Sequence, residues 1–255
     1  MDTVYPNGGS MSILELNGVR CQCSDEFELK NISFEINEKG TYGFLGKSGS
    51  GKTVLAQLLA GARQNDGGSV KYKDGEMYEN QKQTAQLKRK IGYVPQKCFF
   101  DMDDTAFEAL EAFGKAKMID PDKRFRQIKE AFELTGLSGK YDVLVSDLSL
   151  SERKRLSIAA SLLGNPAVII MDEPLQYMDK NQASVIKGVI ELLRSRKVIL
   201  ILSSRAADLQ EMSDSIAFLS AGEIVLWENT EHLVSTLSEN GLGNIANAYD
   251  ALTTA

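Results

Sequence analysis

Residues Gly46-Lys47-Ser48-Gly49-Ser50-Gly51-Lys52-Thr53 match the spacing G-x-x-x-x-G-K-[ST] without compromise. Glycines at those positions let consecutive backbone N–H groups turn inward around phosphate oxygens. A helix opening at the end of the loop aims its positive dipole end at the same anion. Lys52 then reaches the β- and γ-phosphates, and the Thr53 hydroxyl ligates Mg²⁺. Further along, Ala167-Val168-Ile169-Ile170-Met171 ends in Asp172-Glu173. A buried strand ending in a carboxylate holds Mg²⁺ directly or through water, here with Asp172. Glu173 then orients an attacking water; with an ordinary pKa of about 4.3 it is a weak base, so positioning matters more than proton abstraction. Alone, an aliphatic run ending in Asp-Glu also reads as a strand end meeting solvent.

Both sites need elements to hold them. Tyr42 to Leu45 reads as a strand entering the loop, and Val54, Leu55, Leu58 and Leu59 share one face of the helix leaving it. Short apolar runs at 13–19 and 32–36 read as earlier strands, and 167–171 and 198–202 as buried ones. Between the last two, Val185, Ile186, Val189, Ile190 and Leu193 mark an amphipathic helix. Segments 216–219 and 223–227, joined by Ser220-Ala221-Gly222, read as a hairpin. Residues 97–145 are rich in helix formers and lack strand-like runs. The alternation is α/β with a parallel sheet and an all-helical insertion.

The chain has 255 residues, 43% apolar and 25% charged, an ordinary globular balance. Its longest aliphatic runs, 167–171 and 198–202, fall far short of the roughly 20 residues of a membrane-spanning helix. The N-terminus lacks a basic-then-apolar stretch, which argues against secretion. Cys21, Cys23 and Cys98 form neither an even disulfide framework nor a four-ligand zinc pattern, so a reduced cytoplasm fits. A net charge of −6 argues against nucleic-acid backbone binding. Lys88-Arg89-Lys90, Arg153-Lys154-Arg155 and Arg194 to Lys197 read as solvated faces. Residues 1–10 read as a flexible leader, with Gly8-Gly9-Ser10 a linker ahead of Met11.

The order of motifs resembles the nucleotide-binding subunit of ABC transporters over roughly residues 13–228. After the phosphate loop come Ile91-Gly92-Tyr93-Val94-Pro95-Gln96, Leu148-Ser149 opening a helix, Asp172-Glu173-Pro174, Asp179 and the 198–204 strand. The resemblance implies an ABC-type P-loop NTPase. Its mostly parallel core sheet would carry an N-terminal antiparallel β subdomain and an α-helical subdomain at about 97–147. The ATPase domain would span 11–230 and a helical tail 231–255. The resemblance also implies that Gly46 to Thr53 and Ser149 contact ATP, and that Thr53, Gln96 and Asp172 hold Mg²⁺. Glu173, Gln96 and Arg205 would serve catalysis, and Asp179 would lie at a dimer interface. Each phosphate loop of a head-to-tail dimer would face the partner's Leu148-Ser149.

The departures from the family pattern are specific. Its LSGGQ is here Leu148-Ser149-Leu150-Ser151-Glu152, so Cβ atoms stand where backbone approaches phosphate and Glu152 brings negative charge. Ser149-x-x-Glu152 is equally a capping box, which needs no ligand. The family's switch histidine is Arg205, and the chain's single histidine, His232, lies in the tail. Arginine only donates and stays charged; it can hold a γ-phosphate, or stand as a surface residue. Where the family stacks an aromatic on adenine, counting back from the Leu29–Ser33 strand gives Cys23, with Phe27 offset by four residues. Exposed Phe99 and Phe100 would suit a membrane partner or pack beneath the helical subdomain.

The expected function is the ATP-binding subunit of a transporter, coupling MgATP binding and hydrolysis to a separate integral membrane permease, with export as the direction. Residues 245–253 loosely resemble tails of ABC-2 type exporter ATPases. A degenerate LSLSE face predicts pairing with a second ABC ATPase and asymmetric turnover, on the inner face of the cell membrane, with a homodimer as the other arrangement. The alternatives are a regulatory subunit without turnover and a soluble non-transport ABC ATPase.

Overall fold

A computed structural model describes residues 12–24, 27–239 and 243–253 of the chain. The leader at 1–10 therefore lies outside the described residues. Strands β1 (Leu14–Ser24) and β2 (Phe27–Ile36) pair antiparallel, followed by β3 (Gly40–Leu45), the phosphate loop and helix α1 (Lys52–Leu59). Next come β4 (Gly67–Tyr72), β5 (Gly75–Glu76), α2 (Gln81–Lys90) and β6 (Ile91–Val94), then α3 (Ala106–Ala116), α4 (Pro121–Leu134) and α5 (Leu150–Leu162). The chain continues through β7 (Val168–Asp172), α6 (Lys180–Arg194), β8 (Val198–Ser203) and α7 (Ala206–Met212). It closes with β9 (Ser215–Ser220), β10 (Glu223–Asn229), α8 (Thr230–Glu239) and α9 (Ile245–Thr253).

Two sheets result. The order β10-β9-β3-β8-β7-β6 is parallel except for β10, and β2-β1-β4-β5 is antiparallel. Strands β7 and β8 are buried along their whole length, as their continuous aliphatic runs require of a sheet covered on both faces. One apolar core joins the two sheets, where Phe34 of β2 stacks on Trp227 of β10 at 5.1 Å. Strand β4 has a weak sequence signature; only Val70 and Tyr72 point inward, at period two.

Helices α3, α4 and α5 close a separate apolar cluster around Leu110, Phe132 and Leu156. The stretch before α3 carries no helix, and within it Phe99 is 77% exposed while Phe100 packs edge-on against Phe113. The expected hairpin is β9–β10, turning through Ala221 and Gly222, both at positive φ. Gly222 has a further reason to be glycine. A Cβ there would meet the Glu28 carbonyl oxygen at 2.1 Å, because the turn is clamped between β2 and the phosphate loop. Lys30 N–H donates to Gly222 O at 2.8 Å, and Gly222 N–H to Ser50 O at 3.1 Å.

Two of the three basic clusters bury part of their charge, although Arg196 stays exposed. Lys154 is 1% exposed, and Arg155 and Lys197 are buried as well. Each buried cation meets main-chain oxygens: Arg155 those of Thr135 and Gly136, Lys197 that of Pro166. Charge alone does not determine exposure when carbonyls can take the hydrogen bonds. Among the described residues, no helix is long and apolar enough to cross a membrane.

Candidate functional site

The phosphate loop, the ends of β7 and β8 and the loop after β6 line one open cavity of about 610 Å³. The loop keeps its shape by close contact. A Cβ on Gly46 would meet Ser50 Oγ at 2.2 Å and Leu219 O at 2.8 Å, and Gly51 sits at φ +107°. Gly51 is also the N-cap of α1, where no side chain caps the helix. Helices α2 to α6 all carry side-chain caps, from Asn80, Thr105, Asp120, Ser149 and Asp179. The first N–H groups of α1 are thus left for an anion, as a phosphate cradle needs.

Lys52 is buried, and its Nζ donates to Gly46 O at 2.6 Å and Lys47 O at 3.1 Å. Burial lowers its pKa, while Glu173 and Asp172 draw it back up. Ser48, Gly49, Gly51, Lys52 and Thr53 line the cavity. Lys47 faces away. Its N–H donates to the Tyr249 hydroxyl at 3.1 Å, and its ammonium pairs with Asp250 at 2.8 Å. Tyr249 in turn donates to Leu219 O at 2.9 Å, so α9 braces the loop from behind.

Thr53 Oγ1 lies 2.7 Å from Asp172 Oδ2 and 3.4 Å from Gln96 Oε1. Asp172 is fully buried; burial raises its pKa, against which the Thr53 hydroxyl works. Its other oxygen, Oδ1, is buried and has no hydrogen-bond partner among the described residues. A buried carboxylate oxygen left unpaired beside a hydroxyl and an amide oxygen fits a small hard cation. Mg²⁺ is commonly held by one or two carboxylates together with substrate phosphate oxygens, and this set of Thr53, Asp172 and Gln96 suits that division.

Glu173 stands at φ +49°, a strained conformation for a non-glycine residue of the kind that clusters at functional sites. Its carboxylate accepts from Ser204 N–H at 2.8 Å and Ser203 Oγ at 3.2 Å, with Lys52 Nζ at 3.9 Å. Arg205 lines the same cavity from its rim but is 62% exposed. Its Nε pairs at 3.1 Å with Asp208, a buried carboxylate that also holds Lys187 at 3.6 Å. The phosphate loop, Gln96, Asp172, Glu173 and Arg205 thus share one cavity.

Ser149 does not join them; it caps α5. Its Oγ accepts from Glu152 N–H at 3.3 Å, and Glu152 Oε2 accepts from Ser149 N–H at 2.9 Å. Lys140 pairs with the same carboxylate at 3.0 Å. The Glu152 charge is therefore engaged by the cap and Lys140, while Leu150 beside it is 58% exposed. Burial opposes that charge, but Ser149 N–H, Lys140 and the Ser149 hydroxyl outweigh it and hold the carboxyl down at about 2, against an ordinary 4.5. A depressed folded-state pKa contributes stability above the unfolded value and loses it as pH falls through the folded one. The melting-temperature gap between wild type and Glu152→Gln should be full at neutral pH and shrink as pH falls from about 4.5 towards about 2.

Phe27 also lines the cavity, and a Cβ on Gly51 would lie 3.1 Å from its ring. Cys23 does not occupy that place; its thiol turns back to Cys21 O at 3.4 Å. Counting along the chain pointed to Cys23, but β1 and β2 pair irregularly near their ends, and Phe27 returns opposite Ser24. Lys154 and Tyr249, which tie the cavity's walls together, gave no signal beyond a basic run and a tail aromatic.

The family model for the ABC transporter matches residues 29–176. A putative ABC transporter ATP-binding protein of Pyrococcus furiosus is 34% identical over 201 residues, covering 77% of this chain and 75% of that protein. The Nod factor export ATP-binding protein I of Ralstonia nicotianae is 28% identical over 231 residues, covering 90% of this chain and 71% of its own length. A dimeric ATP-binding cassette, solved in a post-hydrolysis state bound to ADP and Pi, has the same fold. Its TM-score is 0.79 at 22% identity, over 85% of this chain and 98% of that one. A match over more than half of its residues, and a relative above 30% identity aligned along most of its own length, place this chain in the ABC transporter family, as an ATP-binding subunit of the ATPase type.

Proposed function

We propose that this subunit couples MgATP binding and hydrolysis to transport through a separate integral membrane permease, as an exporter ATPase on the inner face of the cell membrane. The observation that carries the reading is the convergence of Lys52, Thr53, Gln96, Asp172 and Glu173 on one cavity beside an uncapped helix N-terminus. The Nod factor export protein's name supports export as the direction. Residues 11–230 form the ATPase domain in this reading, with the helical subdomain at about 97–147 and the tail at 231–255.

In this assignment the amides of the loop from Gly46 to Gly51 and the Lys52 ammonium hold the triphosphate. Thr53, Asp172 and Gln96 hold Mg²⁺, which screens the charge between phosphate oxygens. Glu173, pinned by Ser203 and Ser204, orients a water towards the γ-phosphate. Arg205 takes the place at the cavity rim where a donor to that phosphate is needed, with its Nε held by Asp208. The Ser149 face serves a partner's nucleotide; its capped, Leu150-bearing form favours a heterodimer with a second ABC ATPase and slow turnover at the site it completes. Phe27 offers its ring to the base. Phe27→Ala is expected to weaken ATP binding by about 1–3 kcal/mol and leave inorganic triphosphate binding unchanged, in competition titrations.

The test is affinity capture of this chain from detergent-solubilised membranes in the presence of ATP. A co-purifying membrane subunit and a second ATPase with intact LSGGQ and histidine support the asymmetric exporter. Soluble partners alone would replace it with a non-transport ABC ATPase.

A further inference from the structure

Lys154 lies in the second turn of α5, on the helix that opens at Ser149, and is 1% exposed. Its Nζ donates to Pro95 O at 2.9 Å, Gln96 O at 2.9 Å and Asp172 O at 3.2 Å. An ammonium has three protons, so these carbonyls account for all of its donor capacity. None belongs to its own helix. Two flank the side chain of Gln96 on the loop after β6, and the third is the peptide oxygen between Asp172 and Glu173. Burying a lysine charge costs several kcal/mol unless charge-assisted bonds offset it, so this ammonium fixes the groups that hold it.

The rest of the loop it grips is held through side chains, as where Phe100 packs edge-on against Phe113. Among the described residues, no backbone–backbone hydrogen bond of the turns and loops involves residues 96–100. Gln96 Oε1 nevertheless points at Thr53 Oγ1, which also bonds Asp172. Two of the three groups assigned to Mg²⁺ therefore have their own main-chain carbonyls anchored to one side chain from a third segment. Burial pushes the Lys154 pKa down, and Cys98, Asp172 and Glu173 pull part of the way against it.

We propose that Lys154 is a positioning residue for the metal side of the nucleotide cavity, holding Gln96 and Asp172 in register with each other and with α5. The inference rests on reading the cavity as an MgATP site. Because the phosphate loop itself does not touch Lys154, its loss should spare the part of ATP affinity that needs no metal and remove the part that does. A merely structural lysine would lower the melting temperature and change neither part selectively.

The experiment uses the full chain and a fluorescent N-methylanthraniloyl ATP probe, titrated with excess Mg²⁺ and again with EDTA. Lys154→Met keeps an unbranched side chain one atom shorter and removes all three bonds; Lys154→Gln keeps two donors and guards against a Met variant that fails to fold. In the Met variant, affinity in EDTA is expected to stay within about twofold of wild type, while the enhancement by Mg²⁺ falls by about tenfold, or about 1.4 kcal/mol. The Gln variant should recover part of it. Wild-type enhancement by Mg²⁺ in both variants, whatever their melting temperatures, overturns the inference and leaves the MgATP reading standing. A wild-type chain that binds the probe in neither condition overturns both.

Discussion

Replacing Lys52 by alanine is expected to weaken ATP binding by about ten- to a hundredfold. The ammonium is buried at the mouth of an uncapped helix and donates to two carbonyls of its own loop, at 2.6 and 3.1 Å, with the Glu173 carboxylate farther off at 3.9 Å. A phosphate offers it a charged acceptor instead, and a hydrogen bond to a charged group contributes about 1.5–3 kcal/mol. Alanine removes that contribution and leaves the carbonyls of Gly46 and Lys47 without their partner, so the loop itself relaxes. Burial also lowers the Lys52 pKa, hence its charge is lost at lower pH than that of an ordinary lysine. Affinity should therefore fall on the alkaline side at lower pH than an ordinary lysine would dictate, and this fall should be absent in Lys52→Ala. Calorimetric titration of both proteins against MgATP across pH checks the two expectations together; an unchanged dissociation constant in the variant would remove Lys52 from the phosphate site.

Glu173→Gln should have the opposite signature, turnover lowered at least about a hundredfold with nucleotide binding retained. The carboxylate is gripped by Ser204 N–H and Ser203 Oγ in a backbone conformation that costs about 1–3 kcal/mol, an arrangement suited to aiming one oxygen rather than to stability. Glutamine is isosteric, but its amide can present only one acceptor where the carboxylate presents two, and the negative charge is gone. That charge also raises the pKa of the neighbouring Asp172. With it removed, Asp172 ionises more readily, so affinity for MgATP should hold or improve while hydrolysis stops. Phosphate release by the assembled complex, measured beside nucleotide affinity, separates the two effects. Unchanged turnover of the complex would mean that this chain's own site is regulatory and that hydrolysis belongs to its partner.

The sequence by itself determined the parts that depend on residue type at short range. The phosphate loop was legible because its glycines, Lys52 and Thr53 must follow one another at fixed spacing. Strands β7 and β8 were legible because short aliphatic runs bounded by polar residues suit a sheet covered on both faces. Asp172 and Glu173 followed from their position at the end of such a strand, and the Ser149–Glu152 cap from a four-residue pattern. Only the tertiary structure decided what depends on residues far apart in the chain. It buried Lys154, which sits in a run of three basic residues, because carbonyls from two other segments converge on its ammonium. It brought Phe27 to the phosphate loop through an irregular β1–β2 pairing that no count along the chain reproduces. It tied Arg205 to Asp208 and braced Lys47 from a tail helix two hundred residues away. Local pattern reports which groups can do chemistry; which of them meet, and which are held apart, is set by packing between segments, and the pattern of one segment carries no record of its neighbour.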